Sequence, residues 1–153
     1  MSIFIGDFQG KADAKGRIVL PIAFKHVLDS MNENRLIVKR DIYEKCLLIY
    51  PACEWEFVME DLRSKINPYD KEHMQFMREF QRNTAELQLD ANGRILIPKR
   101  LMSIINAEKD VTMIGIDKHI ELWDSKIFDN QAIDSETLGS LAQNILGAQG
   151  KNK

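Results

Sequence analysis

One nine-residue string occurs twice, and that repetition limits the folds open to the chain. Asp13-Ala14-Lys15-Gly16-Arg17-Ile18-Val19-Leu20-Pro21 returns 77 positions later as Asp90-Ala91-Asn92-Gly93-Arg94-Ile95-Leu96-Ile97-Pro98. Six of the nine positions are identical and two more are aliphatic exchanges. A repeat of this kind marks two copies of one small supersecondary unit. Each copy presents a glycine turn with an arginine beside it.

The flanking residues give each copy the same plan. In the first, residues 8–12 read as a strand entering the turn and residues 17–20 as the strand leaving it. Gly16 supplies a left-handed position and Asp13 can accept from the backbone two residues on, the chemistry of a short β-hairpin loop with a bulge. Pro21 lacks the N–H that a strand ladder needs and suits a helix start. Phe24, Val27, Leu28 and Met31 then have helical spacing. The exit loop spans residues 31–34, and residues 35–38 and 46–50 read as two more strands. In the second copy Glu86-Leu87-Gln88-Leu89 alternates as a half-buried strand does. After Pro98 comes a short helix with Leu101, Ile104 and Ile105, then strands over 111–114 and 119–123. The units are placed at 7–53 and 84–127.

A helical spacer, 54–83, is expected between them. Trp55, Val58, Met59, Leu62 and Ile66 form one stripe; Asn67-Pro68 breaks it; Asp70 can cap a second helix carrying Met74, Met77 and Phe80. A Met-rich stripe of this kind suits a core or a subunit interface. Beyond Trp123, Ser125 has the chemistry of an N-cap. The tail, 134–153, places Leu138, Leu141, Ala142, Ile145 and Leu146 at helical spacing, but Gly139 and Gly147 weaken it. A weakly ordered end, or a helix ordered by a neighbour, is expected there.

The net charge of -2 does not advertise a nucleic-acid binder, but its distribution does. Residues 9–26 carry +3 and residues 90–100 carry +2, so everything else totals -7. Positive charge thus gathers at the repeated turns, as it would if they faced an anion. No run approaches the roughly 20 apolar residues that a membrane helix needs, and the first residues have no basic leader, so a cytoplasmic location is expected. Cys46 and Cys53 make no disulfide framework, and Cys46, in an apolar run, is expected as a reduced core thiol.

A two-stranded ribbon fits the DNA major groove. Arg17 and Arg94, each just after its glycine, can fork onto a guanine edge or a phosphate. Lys15 at the first tip has the charge for a phosphate or base, and Asn92 takes the equivalent place in the second. The same Asp–Arg pairs can equally be read as local braces for their turns. Lys15, Arg17, Asn92 and Arg94 are therefore the candidate DNA-binding residues.

The string Asp-x-x-Gly-Arg, three aliphatics and proline resembles the signature of the AbrB-like, SpoVT-type swapped-hairpin domains. Two copies in one chain, around an acidic spacer with Trp55, are similar to the MraZ family of bacterial transcription regulators. Phe4-Ile5-Gly6-Asp7-Phe8, Leu48-Ile49-Tyr50-Pro51 with Glu54-Trp55, and Ile120-Glu121-Leu122-Trp123 extend the likeness over about residues 4 to 130. The resemblance implies an α+β fold, mainly β: a pseudo-twofold swapped-hairpin β-barrel formed within one chain, with helices between and after the repeats. It also implies a ring-shaped homo-oligomer associated with the nucleoid. Such a ring would bind repeated short promoter sites on double-stranded DNA upstream of the division and cell-wall gene cluster and repress it. The DNA contacts would map to the two turns. Lys25 and Met102 stand where the family often has arginine, and Asn92 where a lysine can stand. The second copy is thus the less basic, and the first is expected to dominate binding.

Other functions find less support in the sequence. Asp13 and Asp90 are pseudo-symmetric carboxylates, but an arginine four residues on keeps each ionised and unsuited to acid–base work. His26, His73 and His119 are isolated, and the cysteines have no partners of metal-site type, so no enzyme, cofactor, metal or small-molecule substrate is expected. The remaining alternative is an AbrB-like protein-interaction module of antitoxin type, with the tail occupying a partner.

Overall fold

In the computed structural model of the protein, which describes residues 3–147, the strand leaving each glycine turn parts from the strand entering it. The first repeat runs β1 (Asp7–Lys11), β2 (Arg17–Val19), α1 (Ile22–Ser30), β3 (Arg35–Arg40) and β4 (Leu47–Pro51). Two helices follow, α2 (Ala52–Lys65) and α3 (Lys71–Gln81). The second repeat runs β5 (Thr84–Gln88), β6 (Arg94–Leu96), α4 (Lys99–Ile104), β7 (Asp110–Ile116) and β8 (His119–Asp124). Helices α5 (Ser125–Asn130) and α6 (Ser135–Ala142) and a π-helical turn, Gln143–Gly147, complete the described chain.

Six strands form one antiparallel sheet in the order β1-β7-β8-β4-β3-β5, and β2 pairs with β6 in a separate ribbon. The sheet is pseudo-symmetric about the β4–β8 contact. Each edge is an exchanged strand: β1 of the first repeat pairs with β7 of the second, and β5 of the second with β3 of the first. Both edges lead through their turns into the β2–β6 ribbon, which closes the swapped-hairpin barrel. Hairpin pairing within a repeat ends almost at once. In the first, the Asp13 amide donates to the Arg17 carbonyl at 2.9 Å, and Ala12 bridges Ile18. The local hairpin expected from the sequence is therefore only the tip of a longer exchange.

The helix exits are built alike. Asn32 and Asn106 both take left-handed backbone, at φ 54° and 55°. The next amides, Glu33 and Ala107, each reach back to the carbonyls of Leu28 and Met102 at 3.0 Å. This is the Schellman closure, with asparagine in the place glycine more often takes.

Ile18, Leu20, Phe24, Leu36, Val38, Ile49, Ile95, Ile97, Leu101 and Ile120 lie in one core contributed by both repeats. Phe24 of α1 meets Phe4 and Phe8 edge-on at 5.4 and 5.1 Å, which anchors the first helix under the barrel. Repeats that share a core in this way cannot bury their apolar faces separately.

Helices α2 and α3 form an arm folded back on itself. The break falls at Asn67-Pro68, and Asp70 caps α3 by accepting from the Glu72 and His73 amides. The apolar stripe of α2 faces that of α3: Trp55 stacks on Phe80 at 6.1 Å, and Tyr50 of β4 meets Trp55 edge-on at 5.4 Å. Lys39 of β3 is buried beneath the arm, its ammonium 4.0 Å from the Phe80 ring centre and donating to the Arg40 carbonyl at 2.8 Å. Burial pushes the Lys39 pKa down.

Counted by residue, helices exceed strands, because helices lie between and after the repeats as well as within them. The cap of α5 is Asp124, which accepts from the Ile127 amide at 3.1 Å. The expected cap, Ser125, instead meets the Thr112 hydroxyl at 2.9 Å. The end of β8 already places Asp124 one residue earlier, with an acceptor the serine could not better. Residues 135–147 of the tail are helical, capped by Asp134, with Leu138, Leu141, Ile145 and Leu146 exposed. The rest of the tail, 148–153, and residues 1–2 lie outside the described residues. Among the described residues no helix is long and apolar enough to cross a membrane.

Candidate nucleic-acid interface

The two turns are near-copies in geometry. Asp13 Oδ1 accepts from the Lys15 and Arg17 amides, both at 2.9 Å, while Oδ2 accepts from Arg17 Nε at 2.6 Å. Asp90 Oδ1 accepts from the Asn92 and Arg94 amides at 2.9 and 2.8 Å, and Oδ2 from Arg94 Nε at 2.9 Å. Gly16 and Gly93 hold φ of 90° and 74°, where a side chain is strained. Both carboxyls are held below the ordinary aspartate value, first by the arginine backbone amide and then by its side chain. The Asp–Arg pairs expected as braces are thus present in both turns.

Bracing does not use up the arginines. Each pairing engages Nε, and among the described residues the Nη groups of Arg17 and Arg94 have no partner. A guanidinium anchored by Nε presents its remaining edge as a fixed two-pronged donor. Brace and contact are compatible roles for one side chain.

The repeats lock the turns to each other. The Leu20 amide donates to the Gly93 carbonyl at 2.9 Å, and the Ile97 amide to the Gly16 carbonyl at 3.1 Å. Between these bonds the ribbon pairs Arg17 with Leu96, Ile18 with Ile95, and Val19 with Arg94. Ile18 and Ile95 point into the core, so their alternating neighbours Arg17, Val19, Arg94 and Leu96 share the opposite, outward face. The structure therefore brings Arg17 and Arg94 together on one face. Lys15 and Asn92 are exposed at the turn tips, at opposite ends of the ribbon.

Lys25 is a further cation at this site whose position the sequence does not reveal. It belongs to α1 of the first repeat but lies against the turn of the second: a Cβ on Gly93 would stand 3.5 Å from Lys25 Cδ. Its pseudo-equivalent, Met102, is buried and brings no charge to the first turn. The second turn is thus paired with a helix from the other repeat, and the charge assigned to the first copy by sequence position is partly transferred in space to the second turn. Only the expectation that the hairpins interleave could have signalled this.

Cys46 is buried and unpaired, and its thiol is pushed far up by burial and by Glu121, Asp41 and Glu44, which leaves it a core group without nucleophilic character. His119 meets Tyr50 with its ring tilted by 32° at a centroid distance of 4.9 Å, and burial lowers its pKa. Among the described residues no group of His, Cys, Asp and Glu could hold a metal ion.

Residues 3–78 and 80–143 match a family model described as "MraZ protein, putative antitoxin-like". A protein of Phocaeicola vulgatus named Transcriptional regulator MraZ is 38% identical over 144 residues, 94% of each chain. Proteins of the same name from Bacteroides thetaiotaomicron and Cytophaga hutchinsonii are each 34% identical, over 97% and 95% of this chain and 95% and 96% of theirs.

Proposed function

The chain belongs to the MraZ family, and from that premise we propose that it is a transcriptional regulator that grips double-stranded DNA through its two glycine turns. Lys15, Arg17, Asn92 and Arg94 are the contacts, with Lys25 beside the second turn. One observation carries the reading: two copies of an aspartate-braced arginine, their Nη groups without a partner among the described residues, stand on one face of a ribbon narrow enough for the major groove. The excess positive charge lies at these turns and the excess negative charge elsewhere.

Family resemblance extends the proposal further. Several chains form a ring, their turns engage repeated short promoter sites, and binding represses the division and cell-wall gene cluster from within the nucleoid. Single turns then need only modest affinity, because linked sites act through effective concentration. No catalytic step is assigned: the repeated carboxylates are already engaged by their arginines.

Titration of the full chain onto the DNA upstream of its own gene cluster, over a salt series, tests the proposal. Each neutralised phosphate adds about -0.9 to the slope of log K against log salt, so multivalent engagement is expected to give a steep fall. Absent or salt-insensitive binding would favour the antitoxin-type interaction module, for which the exposed Leu138, Leu141, Ile145 and Leu146 offer a surface.

A further inference from the structure

Val19 and Leu96 have no role in the turn chemistry. They are pseudo-equivalent residues on the outward face of the ribbon, Leu96 opposite Arg17 and Val19 opposite Arg94. Their exposures are 63% and 53%, while Ile18 and Ile95 beside them are almost fully buried. An outward strand position that only meets water is usually polar. Here both copies place an aliphatic there, between arginines.

Arginine and aliphatic alternate around the four outward positions, so a surface that fits this patch must offer negative and apolar groups side by side. The major groove has that arrangement, with phosphates along its rims and thymine 5-methyl groups on its floor. The spacing agrees: outward residues two apart on a strand lie about 6.7 Å from each other, close to two base steps of about 3.4 Å. Resting on the reading of the turns as DNA contacts, we propose that Val19 and Leu96 determine sequence preference by packing on thymine methyl groups, flanked by Arg17 and Arg94. Charge decides against an apolar protein partner at this patch, since such a partner would have to bury both guanidinium edges.

The test uses the full chain and two duplexes of the region upstream of its own gene, one made with thymine and one with uracil throughout. Uracil differs from thymine only by the missing methyl. Fluorescence anisotropy is expected to show the parent binding the uracil duplex more weakly, by about fourfold for each methyl group that packs on the protein in the thymine duplex. The Val19→Ser/Leu96→Ser double variant, which presents no methyl group, is expected to bind the thymine duplex more weakly than the parent and to lose the discrimination; an unchanged far-UV circular dichroism spectrum checks that loss against misfolding. Equal binding of both duplexes by the parent overturns the inference, as does full discrimination retained by the variant. So does a change in assembly size on light scattering, which would mark the patch as a subunit contact. A parent that binds neither duplex sinks the DNA reading itself.

Discussion

Gly16 approaches Ile97 so closely that a Cβ on the glycine would stand 2.8 Å from the Ile97 carbonyl oxygen. The contact crosses from one repeat to the other, and the obstructing atom is backbone. At Gly93 the nearest atoms belong to the Lys25 side chain, at 3.5 Å, an ordinary contact. Left-handed backbone alone costs an alanine about 1–2 kcal/mol. Gly93→Ala is therefore expected to destabilise by about that amount. Gly16→Ala must also open the ribbon, so its loss in denaturant unfolding is expected to be clearly larger.

Lys25 crosses from its own repeat to the other turn, so its removal should mimic damage to the second turn. Lys25→Ala is expected to weaken DNA binding and, if the lysine neutralises one phosphate, to reduce the magnitude of the salt slope by about 0.9. An unchanged slope with unchanged affinity would place Lys25 outside the interface. Met102→Lys would bury a charge and is expected to destabilise the fold without strengthening binding.

The turn carboxylates give a pH dependence with a definite sign. Asp13 and Asp90 titrate below the ordinary value of 3.8 because arginine amides and side chains bond their charged forms. A group depressed on folding contributes stability above its unfolded pKa and loses it as pH falls through the folded one. Both turns are expected to stay braced near neutrality and to weaken only in acid below 3.8. Carboxyl-carbon NMR titration is expected to give midpoints below that value for both residues, and midpoints at or above it would contradict the observed hydrogen bonding.

Much of this architecture is legible in the residues. The doubled string, the prolines after each aliphatic run, and helical spacing at Phe24 and Leu28 specify the strand–turn–strand–helix order. Asp13 and Asp90 announce their bonds to the following amides, since aspartate two residues before the tip commonly makes them. Local pattern cannot say that β2 pairs with β6 instead of β1: each strand's alternation is satisfied by either partner, and the choice depends on which core the two repeats share. That expectation rests on family resemblance. The same gap hides Lys25 beside Gly93, because the two are 68 positions apart and meet only once the hairpins are exchanged. Nothing in the sequence marks Lys39, just after an apolar strand, as buried. Its burial depends on the Trp55–Phe80 arm folding over it.

The Nη edges of Arg17 and Arg94, without a partner among the described residues, are the centre of the proposed function, and their removal tests it most directly. Binding of the upstream DNA is to be measured for the parent, Arg17→Ala, Arg94→Ala and the double variant, with assembly size followed by light scattering. Each single variant is expected to lose about fivefold or more in affinity, a bidentate contact contributing about 1–3 kcal/mol, and the double variant to lose specific binding. Assembly size is expected to stay the same throughout. A double variant that binds as the parent does would show that the arginines only brace their turns, and a loss of binding accompanied by loss of assembly would assign them to the structure of the particle instead of to DNA.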